Sequence, residues 1–189
     1  LHLCDYNLET INNTTSKTAS DTLLAEVCMA AKEEGDLIKT RYTPYRATYG
    51  DSQLCTVLAR SFADIGDIVR GKDLFLGNTY ESKQREKLED NLKTIFGDIY
   101  NDVTTNGKNG AKDRYQDTEN YYQLREDWWE ANRKEVWKAI TCEAYGTYFR
   151  PTCGTGTATY EKCRCGDGKS KVGTNDVPTY FDYVPQYLR

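Results

Sequence analysis

Histidine, methionine, proline and long apolar runs are scarce in this sequence. The one histidine, His2, sits beside the chain terminus, with one methionine and four prolines among 189 residues. A lone terminal histidine is a poor ligand for zinc and a poor base for a Cys–His nucleophile pair, since both need the imidazole held in place. No apolar run approaches the roughly 18 residues of a bilayer span, which excludes direct membrane insertion by this segment. A basic excess is also missing. The 25 Lys and Arg face 29 Asp and Glu, a net charge of -4, so the electrostatic footprint of nucleic-acid binding is absent. None of the strings G-x-S-x-G, H-E-x-x-H, G-x-x-x-x-G-K or G-x-G-x-x-G occurs, and no enzyme activity, cofactor or metal is expected. No basic-then-apolar leader follows Leu1, as expected of a chain whose signal peptide is absent or has been removed.

Aromatic residues and cysteines are plentiful. Charged residues make up 29%, and mean hydropathy is -0.77, wet for a globular chain. Yet 15 Tyr and 3 Trp supply enough apolar bulk to exclude full disorder, and the length suits one domain or a lobe of a larger assembly. The 7 cysteines are Cys4, Cys28, Cys55, Cys142, Cys153, Cys163 and Cys165. Cys163 and Cys165 are too close for a zinc knuckle, so disulfides in an oxidising, extracellular setting are the better reading. The odd count leaves either a free thiol or one whose partner lies on sequence beyond this chain. The abrupt ends favour the second, and the chain is expected to be an excised piece of a longer protein.

Helical periodicity dominates. A first helix is predicted from about Ser20, capped by Ser20 or Asp21, with Leu23, Val27, Ala30 and Ala31 on one stripe. Residues 40–53 read as a connection. A second helix is predicted over residues 53–69, with Leu54, Leu58, Phe62, Ile65 and Val69 on one side. A third, over residues 82–100, carries Leu88, Leu92, Ile95, Phe96 and Ile99 in the cleanest amphipathic pattern of the chain. A fourth spans residues 118–141, with Trp129, Val136, Trp137 and Ile140 on one stripe and Trp128 on its flank. Residues 5–19, with two overlapping N-x-Thr sequons, and residues 101–117 and 154–176 read as loops. The fold class is mostly α, with Trp128, Trp129 and Trp137 expected in a core against Leu88, Leu92 and Phe96.

Charged constellations have bland readings beside sharp ones. Arg60, Asp64, Asp67 and Arg70 lie along one helix, where an ion-pair ladder competes with an acid/base dyad and prevails for want of a nearby nucleophile. Asp127 with Arg125 and Arg133 is read the same way. Lys108, Lys112 and Arg114 in one loop, with Lys162, Arg164, Lys169 and Lys171 in another, form two basic stretches on an acidic chain. They are either simply solvated or a capture surface for sulfated glycans.

Long strings carry a resemblance. Residues 24–35 (LAEVCMAAKEEG), 55–74 (CTVLARSFADIGDIVRGKDL), 124–133 (LREDWWEANR), 136–142 (VWKAITC) and 177–189 (VPTYFDYVPQYLR) resemble the Duffy-binding-like domain. More narrowly they are similar to the alpha-class domain at the head of Plasmodium falciparum erythrocyte membrane protein 1. The resemblance implies a disulfide-stapled helical bundle, with residues 1–19 ending a first subdomain, residues 20–189 forming a truncated second, and the third subdomain absent. It implies an adhesin on the extracellular face of the infected erythrocyte membrane, held there by a larger membrane-anchored chain, and active in cytoadhesion or rosetting and in antigenic variation. Implied partners are a host cell-surface receptor or glycan (heparan sulfate, complement receptor 1 or blood-group sugars), host antibodies, and neighbouring adhesin domains. The alternative is a framework module that presents variable epitopes while its neighbours bind. The resemblance also points Cys55 towards the Cys163–Cys165 region. Cys55–Cys165, Cys28–Cys142 and Cys153–Cys163 are then the expected bridges, with Cys4 partnered outside the chain.

Overall fold

The computed structural model describes residues 18–42, 52–73, 79–105, 110–153, 156, 158–159, 162–165 and 177–189. Helices α1 (Ala19–Tyr42), α2 (Ser52–Arg70), α3 (Thr79–Thr105) and α5 (Tyr122–Ile140) build the frame, with α4 (Ala111–Arg114) a single turn between α3 and α5. Two 3-10 turns, Phe181–Tyr183 and Gln186–Leu188, follow. No strand forms among the described residues, and an isolated parallel bridge joins Gly146 to Lys162.

Local chemistry sets the helix ends. Thr18, rather than Ser20 or Asp21, caps α1. Its Oγ1 accepts the Asp21 N–H at 3.2 Å while the Asp21 carboxylate accepts the Thr18 N–H at 3.3 Å, a reciprocal capping box. Helix α2 stops at Gly71, whose left-handed φ of 69° lets Gly71 N–H and Lys72 N–H close back on Ile68 O and Asp67 O. Helix α5 begins at Tyr122 instead of residue 118. The Asp117 carboxylate collects the N–H groups of Glu119, Asn120 and Tyr122 into a turn, and Tyr121 takes a left-handed φ of 57°. The stretch read as the loop 101–117 is partly helical, since α3 runs on to Thr105 and α4 follows.

Cross-contacts give the topology. Trp128 Nε1 donates to Ser20 Oγ at 2.9 Å near the start of α1, while Gly35 meets Ile140 near the end of α5, so α1 and α5 run parallel. Helix α2 runs antiparallel to α5, because Arg125 binds Val69 O at 2.7 Å at one end and Phe62 packs between Trp129 and Trp137 further along. Helix α3 lies against α1, with Phe96 edge-on to Trp128. Trp129, Trp137, Phe62, Phe96 and Val136 are fully buried, and Trp128 and Leu92 nearly so. Leu88 departs from its expected place in that core. It is 40% exposed at the rim of a groove beside Leu23, Val27 and Ile65, on the outer flank of the α3 stripe.

Gly35 explains why α1 passes through a residue that usually ends helices. A Cβ there would collide with the Ile140 carbonyl, so glycine is what lets α1 and α5 approach. In an exposed helix Gly→Ala stabilises by about 1 kcal/mol. Here Gly35→Ala should destabilise by about 2 kcal/mol or more, because backbone must move. A urea midpoint at or above wild type would contradict the close approach.

The disulfides differ from the expected set. Cys55 pairs with Cys163 and Cys153 with Cys165, which corrects both Cys55–Cys165 and Cys153–Cys163. Residues 162–165 fold under the end of α5, where Cys163 N–H binds Gly146 O and Cys163 O accepts from Trp137 Nε1 at 3.1 Å. That turns the fully buried Cys163 inward to α2 and leaves Cys165 facing Cys153. Cys28–Cys142 is also corrected. Cys28 is a buried free thiol, and Cys142 is disulfide-bonded to a partner outside the described residues. With α1 and α5 parallel, Cys28 lies seven residues before the Gly35–Ile140 contact, about 10 Å along the axis, while Cys142 lies beyond it. Burial and the nearby Glu135 push the Cys28 thiol up to about 12. Cys4 lies outside the described residues.

Candidate functional site

The basic residues singled out in the sequence are not one free patch. Lys108, Lys169 and Lys171 lie outside the described residues. Lys112 is exposed on α4. Arg114 grips Asp127 with two hydrogen bonds of 2.7 and 2.9 Å, and Tyr115 Oη and Gln123 Nε2 donate to the same carboxylate. Lys162 Nζ donates to Cys142 O at 3.3 Å, and Arg164 binds Lys138 O at 2.7 Å and Thr141 Oγ1 at 2.8 Å. The last two therefore satisfy groups at the carboxyl end of α5, where the helix dipole favours cations. Their helix-capping role was hidden in the sequence, because Lys138, Thr141 and Cys142 are some twenty residues upstream.

Asp127 is the partner of Arg114, whereas Arg125 holds Glu89 and Arg133 holds Asp182, so the expected grouping of Asp127 with Arg125 and Arg133 is replaced by three separate pairs. The hydrogen bond from Arg114 is the leading cause that holds the Asp127 carboxyl below its ordinary value. A depressed acid stabilises the fold above its unfolded value, about 4, and that contribution is lost as pH falls through the lower folded value. Asp127→Asn should therefore lower the melting temperature at pH 7, and the gap to wild type should shrink towards pH 3. A gap that is equal at both pH values would rule out the clamp.

A buried polar hub fixes the segment 177–189. Asp182, wholly buried, accepts from Arg133 Nε at 2.8 Å, Arg133 Nη2 at 2.7 Å and Trp129 Nε1 at 2.9 Å. Arg70 pairs with Asp67 at 2.9 Å and also reaches the Asp182 carbonyl. Arg189 binds Asp67 at 2.6 Å and Asp64 at 3.0 Å, so of the ladder read on α2 Asp64, Asp67 and Arg70 are joined, with Arg189 in the place expected for Arg60. Burial pushes the Asp67 carboxyl up, against the lowering pull of Arg189 and Arg70. The Arg133 guanidinium also stacks over Phe62, Tyr180 and Tyr183 at 5.1–5.7 Å.

Against this anchored segment lies an open, largely apolar cleft of about 690 Å³. It is lined by the buried Ala59, Cys165, Val177 and Pro178 and by the aromatic side chains of Tyr148, Phe149, Tyr180 and Phe181. Among the described residues Arg60 and Arg150 are its charged lining residues, and no carboxylate lines it. Sequence reading missed this place, since its residues come from four separate stretches of chain. Among the described residues no group of His, Cys, Asp and Glu could hold a metal ion, and no helix is long and apolar enough to cross a membrane.

Two described disulfides, a helical frame and a surface of aromatic and basic side chains define a disulfide-stapled, mostly helical domain. The family model described as the Duffy binding domain matches residues 1–189, and the chain belongs to that family, as a Duffy-binding-like domain of the PfEMP1 type. It is similar to the NTS-DBL1(alpha-1) domain of Plasmodium falciparum membrane protein 1 from the varO strain, with 38% identity over 98% of this chain and a TM-score of 0.67. It is also similar to the DBLbeta domain of the IT4var13 PfEMP1 bound to ICAM-1, with 31% identity over 98% of this chain and a TM-score of 0.63. The chain spans 39% and 38% of the lengths of those structures. Among curated proteins none matches the chain. The family is one of adhesion domains, not of enzymes.

Proposed function

We propose that this chain is part of a host-receptor-binding adhesin domain, displayed outside the infected erythrocyte as a portion of a larger membrane-anchored protein. What carries the reading is that one helical frame covers 98% of the chain in a comparison with a DBLbeta domain bound to ICAM-1. In this reading residues 20–189 are the larger part of a second subdomain, and the exposed surface varies while the α1, α2 and α5 core is held constant. The receptor is a protein such as ICAM-1 or complement receptor 1, or a glycan such as heparan sulfate or a blood-group sugar, and the same contact underlies cytoadhesion or rosetting.

One observation favours the framework alternative for the glycan arm alone. Lys162 and Arg164 are spent on the end of α5, which leaves fewer cations to face a sulfated chain. Binding of the oxidised chain to human erythrocytes and to immobilised ICAM-1 ectodomain tests the adhesin reading. Saturable binding to either supports it, and binding to neither in the chain and in the full domain rejects it. Salt-dependent retention on heparin tests the glycan arm. If the glycan arm holds, Lys112→Glu should elute earlier than wild type, and unchanged elution would remove Lys112 as a glycan contact.

A further inference from the structure

We propose that the cleft between α2 and residues 177–184 docks an acidic loop of a partner protein that carries an apolar anchor side chain. The inference rests on the adhesin reading and names the chemistry of its partner. Three observations converge on it. The first is size and lining. A concave site of about 690 Å³ lies within the usual range for ligand pockets, and its buried lining of Ala59, Val177 and Pro178 would exclude water around a Leu or Phe side chain. The second is exposure. Phe149 and Tyr180, 54% and 63% exposed, flank the mouth of the cleft on a chain whose mean hydropathy is -0.77. Rigid aromatic groups held open at a cleft mouth are the side chains that dominate binding energy in protein interfaces.

The third observation is charge. Arg70, Arg114, Arg125, Arg133 and Arg189 are each paired with a carboxylate. Arg60 and Arg150 line the cleft, and neither has a carboxylate partner among the described residues. Arg150 lies over the Phe149 ring at 5.2 Å, which presents the guanidinium at the mouth. Among the described residues a net-acidic chain thus offers a local pair of cations, unmatched by a carboxylate, around an apolar hollow. An incoming carboxylate would find a planar donor fork on either rim. A sulfated glycan fits less well, since it has no apolar anchor and asks for an extended basic track, whereas this site has two cations and an apolar lining.

The cleft is also preformed. Cys165 in its lining is bridged to Cys153, Tyr148 N–H binds Thr159 Oγ1 at 2.6 Å, and the lining at Tyr180–Phe181 is tied down through the neighbouring Asp182. Little ordering cost remains for binding.

The test uses the oxidised chain and fluorescence anisotropy with labelled hexapeptides at low salt. Glu-Glu-Phe-Leu-Glu-Glu should bind at least about tenfold more tightly than Lys-Lys-Phe-Leu-Lys-Lys or Glu-Glu-Ser-Ser-Glu-Glu. Arg60→Glu with Arg150→Glu, both exposed and outside the buried hub, should reverse the preference in favour of the basic peptide. Phe149→Ser with Tyr180→Ser should weaken binding of either. Near-UV circular dichroism confirms that the variants keep the native fold. Equal binding of the three peptides, a preference unmoved by charge reversal, no binding at all, or binding of a heparin hexasaccharide alone would each overturn the proposal. If the charge-reversed variant still binds erythrocytes or ICAM-1 like wild type, the adhesin reading stands and the cleft falls. If wild type takes the acidic peptide but neither of those targets, the cleft stands and the adhesin reading falls.

Discussion

Asp182→Asn is expected to cost the domain about 3–5 kcal/mol, because it leaves the Arg133 guanidinium buried without its counter-charge. Asp182 and Arg133 side chains are 0% and 4% exposed, and the carboxylate serves Arg133 twice and Trp129 once, so no water-exposed substitute is at hand. The asymmetry of buried pairs gives a sharper form. Removing one partner strands a charge, whereas removing both removes the desolvation penalty as well. Asp182→Leu combined with Arg133→Met should therefore recover much of the loss. Urea unfolding of the single and double variants checks this. A single variant within about 1 kcal/mol of wild type would show that the hub is not what fastens residues 177–189.

The second large effect belongs to the Cys55–Cys163 bridge. It joins residues 108 apart, and a loop of about that length is worth about 4.7 kcal/mol in the chain-entropy account. Cys55→Ala with Cys163→Ala should lose about 2–5 kcal/mol, with the upper end favoured because both residues are fully buried beside Phe62 and Trp137. Cys153–Cys165 spans 12 residues, so its removal should cost less, about 3 kcal/mol or below. Denaturant midpoints that rank the two bridges in the opposite order would show that local packing, and not loop closure, sets their worth.

How much was legible in the sequence follows from which interactions are local. Stripes such as Leu54, Leu58 and Phe62, or Leu92, Phe96 and Ile99, repeat at helical spacing, so the helices and the tryptophan core could be read directly. Capping at Thr18 and the turn at Asp117 also lie within a few residues, yet they were missed because several Ser, Thr and Asp compete at each end. Disulfide pairing was not legible, since it depends on how residues 162–165 pass beneath α5, and a shift of two residues exchanges Cys163 for Cys165. The cations of the basic loops were visible as cations only. That Arg114 is held by Asp127 and Arg164 by Lys138 and Thr141 is decided by tertiary contacts between 13 and 26 residues apart. The cleft was invisible for the same reason, being assembled from α2, residues 148–152, Cys165 and the anchored segment.

Fixed frame and adhesive surface meet in one measurement: saturable binding of the chain to human erythrocytes and to ICAM-1 ectodomain, taken side by side for the oxidised and the reduced protein. If the stapled helical frame presents an adhesive surface, the oxidised chain binds at least one of the two and reduction abolishes that binding together with the cooperative melt. Binding of equal strength by the reduced, unfolded chain would contradict the account, as would a well-folded oxidised domain that binds neither target.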